Sequence, residues 1–119
     1  MPDAGSTYTF TNALGPKKAM EFFLFNQPLM SEELQCAGLI NAIDSNPIEL
    51  AQKWCGQIAN MAPLSIAHLK KNIQKASHMS FADSMLNETN SQCYLGQTED
   101  FNEGVLSFFE KRTPVFKGV

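Results

Sequence analysis

The sequence predicts a mainly α chain of five or six helices with one or two short strands. Three observations carry that reading. Pro16, Pro47 and Pro63 each stand at the head of a segment whose apolar residues recur every three or four positions, and proline suits the first turn of a helix. Ser31, Ser80 and Thr98 each precede a segment with acids in its first turn, the pattern of a capped N-terminus. A single run, Leu39–Ile43, is β-branched and short enough for a strand. With 119 residues, 44% hydrophobic and 18% charged, the composition is that of one globular domain.

In chain order, "MPDAGST" reads as a loop running into a helix, with the carboxylate of Asp3 at its start. "GPKKAMEFFLF" is a short helix with Ala19, Phe22 and Phe23 on its apolar face; Asn26, a residue tolerant of the left-handed conformation, ends it. "SEELQCAG" is another short helix, capped by Ser31 and stopped by Gly38. "LINAI" is the strand, and "DSNP" turns the chain. Pro47 then opens a longer helix with Ile48, Ala51, Cys55, Ile58 and Ala59 expected to face inward. The helix from Pro63 carries the stripe Ile66, Leu69, Ile73 and Ala76. Ser80 with Asp83 forms a capping box in its aspartate variant, and the helix behind it runs toward Gly96. The last helix is capped by Thr98, begins acidic and ends basic, which complements its dipole; Pro114 is its expected stop.

Composition excludes several classes. The longest apolar stretch, around Phe22–Phe25, is far too short to cross a bilayer, and no secretory signal is visible. Nine basic against twelve acidic side chains give a net charge of −3, which argues against nucleic acid as a partner, since that needs clustered Lys and Arg. Cys36, Cys55 and Cys93 are odd in number and widely spaced, so they read as reduced thiols in a cytoplasmic protein. His68 and His78 are spaced wrongly for a metal pair. Lys70 and Lys71 read as solvated, and Trp54 as a packing residue. Phe22, Phe23, Phe25, Leu29 and Met30 fall almost consecutively. A stretch apolar on all sides needs cover on all sides, from another part of the molecule or another subunit.

Three segments in order resemble the crotonase (enoyl-CoA hydratase/isomerase) superfamily. "PDAGSTYTFTNALGPKKAMEF" is similar to its active-site loop and following helix. "FNQPLMSEELQCAGLINAI" is similar to its pattern of turn, paired acids, glycine and short strand. "TEDFNEGVLSFFEKRTPVFKG" is similar to its C-terminal signature. The resemblance covers essentially the whole chain and implies the C-terminal helical part of the α/β crotonase-like (ClpP/crotonase) fold. Residues 1–119 are then one segment: 1–44 the active-site loop, helices and short strand, 45–119 a helical oligomerisation part. The family fold is longer, with a β-spiral ahead of this region, so the expectation is a truncated member of the superfamily.

The resemblance also implies chemistry. Such enzymes stabilise a thioester enolate with two backbone N–H groups, and one such donor is typically worth about 10²–10³ in rate. Both donors, and the glutamates used by hydratases, correspond to the part ahead of these residues. The chain is therefore expected to be inactive alone unless an N-terminal polypeptide complements it. Asp3 matches the carboxylate that isomerases of the family use to move a proton between two carbons, which favours the isomerase-like branch; the other reading of Asp3 is a plain first-turn acid. Its carboxyl is expected at or below the ordinary pKa, because the Met1 ammonium and a helix N-terminus favour the ionised form. Phe108 and Lys111 match an aromatic and a lysine that contact the adenine and phosphates of coenzyme A. Their other reading is a core aromatic and an ordinary cation of the last helical turn. No cofactor is expected to be bound covalently; a coenzyme A thioester is the implied ligand, in acyl-CoA and fatty-acid metabolism. Self-association as a trimer or higher is implied, and a non-catalytic helical oligomerisation module is the alternative function. Two positions depart from the family pattern: Asn26 stands where glycine is usual, and Leu34 where a small alanine is typical, bulk that needs repacking at roughly 1–3 kcal/mol.

Overall fold

The computed structural model describes residues 2–119. Six helices follow one another: α1 (Ser6–Phe25), α2 (Ser31–Cys36), α3 (Pro47–Ala59), α4 (Pro63–Ala76), α5 (Phe81–Leu95) and α6 (Glu99–Glu110). The chain divides into two compact units, Met1–Leu50 and Ala51–Val119.

In the first unit α1 is two helices in one. Gly15 adopts φ 77° and ψ 160°, a region open essentially to glycine alone, and Pro16 restarts the helix behind it. The bend has a consequence for packing. On a straight helix Phe10 and Phe22 would stand about 18 Å apart along the axis; instead their rings stack at 4.9 Å and 5°, with Phe23 5.6 Å from Phe10. The turn at Gly15 thus closes a small aromatic cluster, and Ala19 beside it is buried. Asn26 ends α1 as expected, left-handed at φ 49°, its N–H bonded to the Phe22 carbonyl at 3.0 Å. The cap of α2 shifts by one residue from Ser31 to Met30, because the Glu33 carboxylate accepts the Met30 N–H at 3.1 Å.

The expected strand does not form: among the described residues no β-strand occurs. Leu39–Ile43 is irregular because its first donors are already used. The N–H groups of Leu39 and Ile40 both bond to the Leu34 carbonyl, at 2.9 and 3.4 Å, closing the end of α2. β-propensity describes side chains that suit a pleated surface; a strand also needs a neighbour to pair with.

In the second unit α4 packs against α5. The Ser80 hydroxyl accepts the Asp83 N–H at 3.1 Å and Thr98 accepts that of Phe101 at 3.1 Å, so both expected caps form. Helix α6 ends earlier than the sequence suggested. It stops at Glu110, and its last turn contains no basic residue; Lys111 and Arg112 lie beyond it. The inward face expected of α3 is also corrected: Ile48, Ala51, Cys55, Ile58 and Ala59 are all exposed. A helical period says which face is apolar, not what stands opposite.

Candidate functional site

Asp3 lies in the first unit, exposed, ahead of α1. Its backbone carbonyl accepts both the N–H and the hydroxyl of Ser6, at 2.9 and 2.6 Å. Ala4 and Gly5 follow at φ 50° and 78°, so the chain turns sharply into α1. The carboxylate is left facing solvent. The Met1 ammonium invoked for it lies outside the described residues.

Phe108 and Lys111 belong to the second unit. Phe108 is 79% exposed, which overturns its reading as a core residue. It meets Phe109 edge-on at 5.8 Å. Lys111 sits just past α6 in the left-handed conformation, φ 54° and ψ 40°, so it does not belong to the last helical turn. Its N–H bonds to the Phe108 carbonyl at 3.4 Å, and the Arg112 N–H bonds to the Ser107 carbonyl at 3.1 Å. That pair of bonds is a Schellman closure, whose left-handed position is usually glycine. Among the described residues no ion pair involves Lys111. An exposed aromatic and an unpaired cation joined through one closing turn suit a ligand with an aromatic ring and anionic oxygens.

Carboxylates of α6 hold the chain that follows. The Arg112 guanidinium forks onto Glu103, with Nη2 donating to Oε2 at 2.8 Å and Nη1 to Oε1. Its Nε donates to Glu110 at 2.6 Å, and Glu103 also accepts the Val115 N–H at 2.8 Å. These donors, Arg112 foremost, hold the Glu103 carboxyl down to a pKa of about 2. Asp100, buried, accepts the N–H groups of Lys117 and Gly118 at 2.7 and 2.8 Å. A buried carboxylate with two backbone donors is satisfied, and it pins the C-terminal segment to the start of α6.

Between α4, α5 and α6 runs a groove of about 1220 Å³. Ile66, Leu69 and Ile73 line it from one side, Val105 and Phe108 from another. Its polar part is a small network: the Ser91 hydroxyl lies 3.1 Å from His68 Nδ1 and accepts from the Asn72 amide at 3.1 Å, while His68 stacks on Tyr94 at 5.1 Å. Among the described residues no cluster of His, Cys, Asp or Glu could hold a metal ion, and no helix is long and apolar enough to cross a membrane.

Asp100, Glu103 and Arg112 were not singled out from sequence. Glu103 and Arg112 are nine positions apart, outside the helical spacings that flag ion pairs. Only the turn at Lys111 brings them together. The C-terminal signature contained all three, without revealing what they do.

Comparison with known proteins finds relatives along the whole chain. The family model described as enoyl-CoA hydratase/isomerase matches residues 1–119. The 2,3-dehydroadipyl-CoA hydratase of Escherichia coli K12 is 28% identical over 99% of this chain and 47% of its own length. The 1,2-epoxyphenylacetyl-CoA isomerase of the same organism is 27% identical over 99% of the chain and 46% of its own. Among solved structures, an enoyl-CoA hydratase subunit I from Geobacillus kaustophilus HTA426 superposes with a TM-score of 0.91 at 31% identity, covering 100% of this chain and 47% of that one. The chain spans about half the length of the relatives it matches.

Proposed function

The chain belongs to the enoyl-CoA hydratase/isomerase family, and on that premise we propose that it serves acyl-CoA chemistry as the C-terminal portion of a crotonase-type active unit. The match of the family model over residues 1–119 carries the reading. In it, Phe108 and Lys111 hold the adenine and phosphate end of a coenzyme A thioester. The exposure of Phe108 and the unpaired charge of Lys111 support this role. Asp3 is the proton-transfer group of an isomerase-like reaction, and its exposed position leaves it reliant on other residues to supply a dry pocket. In this reading the 119 residues alone bind the coenzyme without turning over its thioester, and the exposure of the Asp3 carboxylate to solvent supports it. The site of action is the cytoplasm.

Titration of the purified chain with free coenzyme A, followed by backbone amide NMR, tests the binding half. Shifts centred on Ser107–Arg112, reduced in both Phe108→Ala and Lys111→Ala, are expected. Shifts absent from that turn would reject the assignment.

A second reading is favoured by a separate observation. Ile48 and Ile58 of α3, and Leu69 and Ile73 of α4, are half or more exposed. As a helical association module, the chain would cover these faces in a trimer or higher assembly, or against a complementing N-terminal polypeptide. Coenzyme A binding separates the two, since association alone does not require it.

A further inference from the structure

We propose that Glu103 and Arg112 are positioning residues for Lys111, their forked ion pair holding that lysine in its left-handed conformation where it can meet an anionic ligand beside Phe108. The ligand half of this inference rests on the coenzyme A reading above; the conformational half stands on geometry alone.

The left-handed region disfavours any residue with a Cβ, and helix ends that need it recruit glycine or asparagine. The chain itself follows that rule at Asn26. At Lys111 it does not. A glycine there would close α6 equally well, so the lysine is not explained by the turn. Strained backbone outside glycine concentrates where a side chain is put to use. Something must hold the strain, and the surrounding bonds identify it. In a Schellman closure the residue after the left-handed position commonly makes an apolar contact back to the helix. Here that residue is Arg112, and an ion pair replaces the apolar contact. Its guanidinium takes both oxygens of Glu103 and reaches Glu110 as well. Glu103 additionally accepts the Val115 N–H, so the chain on the far side of the turn is fixed to the same carboxylate. Lys111 is thus bracketed by α6 before it and by an anchored segment after it. Two anions neutralise Arg112 while the neighbouring Lys111 has no ion-pair partner among the described residues. The two adjacent cations therefore divide the work: one is consumed internally, the other is left for a ligand.

The experiment uses the full 119-residue chain, ¹⁵N- and ¹³C-labelled, as wild type and as Glu103→Gln, Arg112→Lys and Lys111→Ala. The Lys111 amide coupling and Cβ shift report its φ, and calorimetric titration reports affinity for free coenzyme A. In Glu103→Gln, Lys111 is expected to leave the left-handed region for most of the time. With the competent conformer reduced to about a tenth, affinity falls about tenfold. Arg112→Lys keeps the charge but loses the fork, so it lies between. The helical shifts of 99–107 stay as in wild type, which separates a local effect from unfolding. If Lys111 stays left-handed in Glu103→Gln, the positioning role is overturned. If φ changes as expected while Lys111→Ala binds coenzyme A like wild type, the positioning role holds and the coenzyme reading fails. If the wild type binds no coenzyme A, that reading fails outright, and the φ measurement still decides the role of the ion pair.

Discussion

A lysine at φ 54° carries a cost that a glycine would not. Lys111→Gly is therefore expected to raise stability by about 1 kcal/mol, visible as a higher midpoint in thermal denaturation, while weakening coenzyme A binding. A single substitution that improves the fold and harms the site is the signature of a residue kept for function. Glu103 makes a second expectation, in pH. Its folded-state pKa lies near 2, below the ordinary value of 4.5. A depressed carboxylate contributes stability above its unfolded pKa and loses it as pH falls through the folded value. The contribution is thus complete above about pH 4.5 and declines toward pH 2, and Glu103→Gln should flatten the denaturation profile across that window. Asn26, Ser80 and Thr98 were legible in the sequence because a cap is a local arrangement of a few residues around one helix end. The Glu103–Arg112 pair was not, since it depends on a turn whose left-handed residue is a lysine and carries no warning in its identity.

At the level of elements, periodicity located the helices well and their surroundings poorly. The proline starts of α3 and α4 and the polar caps of α5 and α6 follow from local rules. The strand at Leu39–Ile43 failed because its leading N–H groups close α2, a competition that β-propensity does not register. The bend in α1 is half visible in the sequence: Pro16 marks a helix start and the opening residues read as a loop running into a helix, but nothing marks two helical stretches folded on each other at Gly15. That bend is now testable. Gly15→Ala places a Cβ in a conformation only glycine adopts freely, and should destabilise the chain by about 1–3 kcal/mol. The resonances of Phe10 should lose the ring-current shifts that come from its stack on Phe22. Thr98→Ala removes the hydroxyl that accepts the Phe101 N–H and should cost about 1 kcal/mol by chemical denaturation, loosening the start of α6 where Asp100 holds the C-terminal segment.

Across the whole chain, apolar surface is plentiful and burial scarce. Ala19 is the one buried hydrophobic residue among those described, while Ile48, Phe81, Phe108 and Phe109 are each more than two-thirds exposed. Apolar faces of this extent mark contact surfaces, so light scattering should find a particle heavier than the 13.2 kDa monomer. The all-round apolar run near Phe22–Met30 pointed to missing cover at the sequence level. The identity of that cover was not legible, because the residues of a face record its polarity and not its partner. The account rests on one proposal: these residues bind the coenzyme end of an acyl-CoA, and turnover of the thioester depends on groups that they do not supply by themselves. The direct measurement is turnover by the purified 119-residue chain, with crotonyl-CoA for hydration and a 3-enoyl-CoA for isomerisation. The expected result is no reaction above the uncatalysed background; either conversion at an ordinary enzymatic rate, in a preparation free of other proteins, would contradict it.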